Sequence, residues 1–238
     1  MKITAKTDIG LVRAQNQDAY AVGELSRYMA WAVVCDGMGG PSGGEIASAL
    51  AVNAVRDGMN RLLHSESTEE ELHLVIKEVI TQANSRIYEM GENNQELTGM
   101  GTTLVLCVVR KNEVTVAHAG DSRAYIIRAG EITKLTSDHS LVQTLVERGE
   151  ISATEAGNHP QKNIITRALG VSPEVEFDLN VHDIKRGDII LLCTDGLTNL
   201  CDDAEIAEIA MREGAQALIE LAKERGGTDN ITAVTIHN

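Results

Sequence analysis

At 238 residues the chain is long enough for one large domain or two small ones. A formal net charge of −14 argues against nucleic-acid and anionic-membrane partners, whose phosphates need Lys and Arg to neutralise them. One Trp, one Phe and four Tyr leave the core to aliphatic side chains. No stretch approaches the ~20 apolar residues of a membrane span, and the first residues show no apolar segment leading to a cleavage site. The expectation is a cytoplasmic protein forming a single domain over 1–238. The absence of a heptad seam makes a monomer the default. Cys35, Cys107, Cys193 and Cys201 are scattered and mostly embedded in apolar runs, so they read as buried free thiols.

In chain order, an alternating pattern predicts a strand over 3–7, followed by strands over 19–22 and 30–35. Two long helices come next. The first covers 44–63; the second opens at the capping-box pattern of Thr68 and Glu71 and carries Leu72, Val75, Ile76, Val79, Ile80, Ala83 and Ile87 at helical spacing. Strands over 102–109, 113–118 and 122–127 are separated by compact connections, which makes this region antiparallel. Short helices are expected over 141–148 and from the capping box of Ser152 and Glu155. Strands over 175–180 and 188–194, helices over 202–212 and 215–225, and a strand over 230–236 complete the chain. Antiparallel strand groups interrupted by paired helices predict an α+β layered sandwich rather than a parallel βαβ sheet.

Chemistry concentrates where apolar runs stop. The run 30–35 ends at Asp36-Gly37, the run 114–119 at Gly120-Asp121, and the run 189–194 at Asp195-Gly196, while Asp229-Asn230 opens the last run. Each pair alone suits an ordinary turn, since Asp, Asn and Gly are turn residues. Together, carboxylates at the ends of buried strands repel one another unless cations lie between them. Oxygen-only ligands favour hard divalent ions, Mg²⁺ or Mn²⁺, over zinc. Arg13, shortly after the first strand, offers a planar fork suited to two phosphate oxygens, although a solvated arginine is the plainer reading. The glycines of Asp36-Gly37-Met38-Gly39-Gly40 permit close backbone approach but do not form a dinucleotide fingerprint, for want of a parallel βαβ unit.

In their order and setting, the segments containing Arg13, Asp36-Gly37, Gly99-Met100-Gly101-Thr102-Thr103, Gly120-Asp121-Ser122-Arg123, Asp195-Gly196 and Asp229-Asn230 resemble the metal-dependent serine/threonine protein phosphatases of type 2C, in their small bacterial form. The resemblance spans essentially the whole chain. It implies two antiparallel β-sheets packed as a central sandwich with helical pairs on both outer faces, and a metal cluster at one end. It also implies that Asp36 bridges two metals with the Gly37 carbonyl completing the second, and that Asp195 and Asp229 hold the first. Asp121, with Asp195, would hold a weaker third ion. Asp18 would act through metal-bound water, Asn230 would support Asp229, and Arg13 would grip the phosphate. The stretch 137–169 would be a flap beside the cleft. Phosphorylated proteins, the products of a serine/threonine kinase, are the implied substrates.

The expected reaction is attack by a metal-bound hydroxide, with no covalent intermediate. No cysteine sits in a Cys-x₅-Arg loop, and the neighbourhood of Asp36 lacks an Asp-x-Asp pattern. Two other functions remain open: a phosphohydrolase of nucleotides or small esters, and a scaffold without turnover. The complete carboxylate set weighs against the scaffold. Met38 stands where some relatives carry a candidate acid, and Met cannot donate a proton. His139 is the alternative donor, against the plainer expectation that it fixes its own loop. Gln17 replaces an acidic residue of some relatives, and His118, inside an apolar strand, reads as a core histidine.

Overall fold

The structure, a computed structural model, describes residues 1–238 apart from the side chain of Pro41. One sheet contains β1 (Lys2–Asp8), β7 (Arg123–Arg128), β8 (Glu131–Lys134), β10 (Ile189–Cys193) and β11 (Ile231–His237), in the order β1-β11-β10-β7-β8. The other runs β2-β3-β5-β6-β9, from β2 (Asp18–Ser26), β3 (Met29–Met38), β5 (Leu104–Arg110), β6 (Glu113–Ala119) and β9 (Asp178–Asp183). The two-residue β4 (Gly101–Thr102) pairs with the end of β3. Every pairing is antiparallel. Helices α1 (Gly40–Leu62) and α2 (Glu69–Asn93) cover the second sheet. Helices α6 (Asp203–Arg212) and α7 (Ala215–Glu224) cover the first. Between them lie three shorter helices, α3 (Leu141–Glu147), α4 (Ala153–Gly157) and α5 (Asp195–Thr198). The result is the expected α+β sandwich.

Side-chain alternation explains why the central strands read as unbroken apolar runs. On β3, Trp31, Val33 and Cys35 pack beneath α1 and α2, whereas Ala32 and Val34 enter the layer between the sheets. On β10, Ile189, Leu191 and Cys193 join the α6–α7 core while Ile190 and Leu192 face inward. Both faces are dry, so neither can carry the polar half of an alternating pattern. The capping box at α2 forms as expected: the Thr68 hydroxyl accepts the Glu71 N–H at 3.2 Å, and the Glu71 carboxylate accepts the Thr68 N–H at 2.8 Å.

Four details depart from the sequence expectation. Helix α1 begins at Gly40 rather than 44, because Gly39 at φ 111° turns the chain directly into the helix. Strand β8, a polar edge strand, carries too little apolar pattern to announce itself. Strand β9 begins at Asp178, since its bounds are fixed by pairing with β6; Val175 and Phe177 pack against the core outside the ladder. Helix α5, only four residues long, is too short to leave a periodic pattern in the sequence. Among the described residues, no helix is long and apolar enough to cross a membrane.

The chain just beyond the 137–169 stretch is tied to α2 through Asn84, which is 1% exposed. Its amide nitrogen donates to the carbonyls of Ser172 (3.0 Å) and Pro173 (3.1 Å), and its oxygen accepts the Gly170 N–H at 2.8 Å. Replacing Asn84 by Leu removes all three partners at once. Urea denaturation should show a loss of about 1–3 kcal/mol, the range for orphaned buried polar groups.

Candidate active site

Strands from both sheets reach one end of the sandwich together. Asp18 opens β2 directly opposite Asp36 near the end of β3, and Asp8 closes β1 opposite Ile231. A cleft of about 320 Å³ lies there, lined by Arg13, Asp36, Gly37, Asp121, Asp195, Asp229 and Asn230. Of the residues expected at the site, Asp18 alone does not line the cleft; it is 8% exposed.

Each carboxylate is placed by its neighbours. The Asp36 N–H donates to the Thr103 hydroxyl at 2.9 Å, and its carbonyl accepts from the Thr103 N–H (2.8 Å) and the Thr102 hydroxyl (2.9 Å). Thr103 Oγ1 also lies 2.7 Å from Ser122 Oγ, which links Asp36 to the turn bearing Asp121. One oxygen of Asp18 accepts from the hydroxyls of Thr194 (2.9 Å) and Thr232 (2.7 Å). The other, Oδ1, is buried with no partner. Asp195 opens α5 and accepts from the Asn199 amide at 2.9 Å. Gly37 has no room for a side chain, since a Cβ would run into the Gly44 carbonyl at the start of α1.

Arg13 donates to Asp229 Oδ2 at 2.7 Å with about half of its side chain exposed, 53%. Asn230 ties down the loop that carries Arg13. Its side-chain oxygen accepts the Gln17 N–H at 2.8 Å, and its amide donates to the carbonyls of Ile9 and Gln15, both at 2.9 Å. Its own N–H donates to Asp229 at 2.9 Å. Gln17 is occupied by the Gly40 carbonyl at 3.0 Å. Met38 lines the cleft, as do Asn163 and Ile165 from the flap stretch. Nothing in the sequence marked those two. His118 is 1% exposed and His139 8%, and neither lines the cleft.

Crowding raises the acids. Withdrawal from water, then the charges of Asp195 and Asp229, push Asp18 up to about 7 against its two threonine donors. Burial, then Asp195 and Asp138, push Asp121 to about 7. Asp36 is held well above the carboxylate range by burial and then by Asp18 and Asp195, and Asp195 is raised by burial and then by Asp229. An all-oxygen donor set with an orphaned buried acceptor suits hard divalent cations and their bound water.

The fold and cleft can be placed among known proteins. A protein phosphatase 2C family model matches residues 12–231. The chain belongs to that family. The serine/threonine phosphatase Stp of Listeria innocua is 39% identical over 236 residues, 97% of this chain and 93% of that one. The serine/threonine phosphatase structure from S. agalactiae superposes with a TM-score of 0.91 at 40% identity, covering 100% of this chain and 99% of that one. The catalytic domain of the phosphatase PstP, solved with two manganese ions, gives a TM-score of 0.85 at 37% identity, with coverage of 98% and 96%.

In this phosphatase 2C chain the acid cluster should weaken the metal-free fold. Acids with raised folded-state pKa contribute stability below their unfolded pKa near 4 and lose it as pH rises through about 7. Asp36→Asn removes one of the repelling charges. In chelator at pH 8 its Tm should exceed that of the wild type by at least ~4 °C, given ~2–4 °C per kcal/mol at this size. The margin should narrow at pH 5, where the histidines common to both proteins cancel. Saturating Mn²⁺ should reverse the order. A variant melting at or below the chelated wild type at pH 8 contradicts the reading.

Proposed function

We propose that this chain is a serine/threonine phosphoprotein phosphatase that uses Mn²⁺ or Mg²⁺ and acts in the cytoplasm, as a monomer, on the products of a serine/threonine kinase. The observation that carries this reading is the convergence of Asp36, Asp121, Asp195, Asp229 and Arg13 in one cleft of a phosphatase 2C fold. Asp36, Asp195, Asp229 and the Gly37 carbonyl are assigned to two core ions, and Asp121 with Asp195 to a weaker third. Such ions, when bound, lower the pKa of a water towards ~7 and neutralise phosphate charge.

The chain's own groups supply the rest. The Arg13 guanidinium presents paired donors to two non-bridging oxygens, and a cation at Asp229 competes with its present ion pair. The unpartnered Asp18 Oδ1 would accept a hydrogen bond from water held behind the cluster. In a molecule of net charge −14, a doubly charged phosphate is attracted only by this local positive charge. Covalent catalysis by cysteine has no support: burial raises the thiols of Cys35, Cys107 and Cys193, the last two to about 12, and that of Cys201 to about 11. Met38 cannot protonate the departing alcohol. His139 does not line the cleft, so the departing alcohol takes its proton from a metal-bound water or another residue, or leaves unprotonated.

A substrate panel tests the proposal. A phosphothreonine peptide should be hydrolysed with added Mn²⁺ and not in excess chelator, and much faster than nucleotides. Arg13→Ala should raise KM at least about tenfold with a smaller change in kcat, since ~1.4 kcal/mol is the low end for even one of its two charge-assisted hydrogen bonds. Chelator-resistant turnover, or nucleotides cleaved faster than the peptide, would reject it.

A further inference from the structure

His118, His139 and Asp178 gather beside the Gly120–Asp121 turn, and their polar atoms lie within 4.8 Å of one another. The group does not form a metal site. The two rings are stacked at 4.5 Å and 15°, so their in-plane lone pairs run nearly parallel instead of converging on a point. Most of the nitrogens are also engaged. His118 Nε2 is 2.9 Å from the Ser137 carbonyl, which requires the proton on that nitrogen and leaves only Nδ1 free.

The hydrogen bonds of His139 point elsewhere. Its Nδ1 lies 3.2 Å from the Gly120 N–H, which can only donate, so Nδ1 carries the lone pair and Nε2 the proton. Nε2 then donates to Asp178 Oδ2 at 3.3 Å; Arg167 Nη1, 3.1 Å from that nitrogen, meets a donor there and gives its hydrogen to Asp178 Oδ1 at 3.0 Å instead. The His139 backbone N–H donates in turn to the Gly120 carbonyl at 2.9 Å. His139 therefore grips both polar groups of Gly120, whose φ of 109° marks the turn that delivers Asp121. It also belongs to the flap stretch, because its carbonyl accepts the Thr166 N–H at 2.7 Å.

Ser122 and Thr103 hold this turn from the Asp36 side, and His139 holds it from the flap side. We propose that His139 is a positioning residue: by clamping Gly120 it sets the Asp121 carboxylate, so that docking of the 137–169 stretch and completion of the Asp121 metal site are one event. Asp178 fixes the ring in the tautomer this requires, and the His118 face fixes its plane. The proposal rests on the assignment of Asp121 as a metal ligand.

Two polar substitutions separate positioning from packing. His139→Asn keeps an acceptor close to the Nδ1 position and gives up Asp178. His139→Gln reaches towards Asp178 and gives up the acceptor for Gly120. Both lose the stacked ring, so a purely packing role predicts equal damage. Calorimetric titration with Mn²⁺ should show a weak site in the wild type that Asp121→Ala removes. That site should weaken at least ~10-fold in the Gln variant, the lower bound for losing a ligand's supporting hydrogen bond, and stay within ~3-fold of wild type in the Asn variant. The two tighter sites should persist in both. Amide exchange at Gly120 should be fast in the Gln variant and slow in the Asn variant. Unchanged weak-site affinity in the Gln variant, or equal loss in both, overturns the proposal. A wild type with no Asp121-dependent site instead overturns the assignment on which it rests.

Discussion

Repulsion among carboxylates that the fold has drawn out of water is the constraint on which this structure turns. Asp18, Asp36, Asp121 and Asp195 are each pushed towards the protonated form, chiefly by burial and then by one another. An ordinary core would discard such a cluster, because unpaired buried charge is among the most destabilising features a protein can contain. Divalent cations convert the liability into a binding site. The same field explains why Arg13 pairs with Asp229: among the described residues it is the one cation lining the cleft.

The sandwich makes this crowding possible. Two sheets built from long, dry strands end at a common edge, and each strand delivers its acid at the point where the ladder stops. Because the strands are buried on both faces, the acids cannot turn away without disturbing three layers of packing. Hydroxyls then do the fine placement. Thr194 and Thr232 fix Asp18 across two strands of one sheet, and Thr102 and Thr103 fix Asp36 in the other. These bonds pass between segments far apart in sequence, so the site exists only once both sheets have assembled.

That distance also decides what the sequence reveals. Asp36, Asp121, Asp195 and Asp229 are legible because glycine or asparagine beside an apolar run marks a strand end, and β3, β5 and β10 because two buried faces leave no polar gaps. Edges are harder to read. Strand β8 pairs on one side only and keeps a polar sequence, and β9 takes its register from β6 rather than from its own pattern. Thr194 and Thr232 behind Asp18 look like ordinary strand residues, and Asn163 looks like any loop asparagine. His139 is legible as a loop histidine, but its hold on Gly120 depends on the return of a chain segment nineteen residues away. Tertiary pairing, not local propensity, assigns these roles.

Anomalous diffraction at the manganese edge, from crystals grown in excess Mn²⁺, tests the central claim most directly. The account predicts two strong peaks within coordination distance of Asp36, Asp195 and Asp229, with Arg13 released from Asp229. An anomalous map without peaks in that cleft, with the three carboxylates turned away from one another, would contradict it.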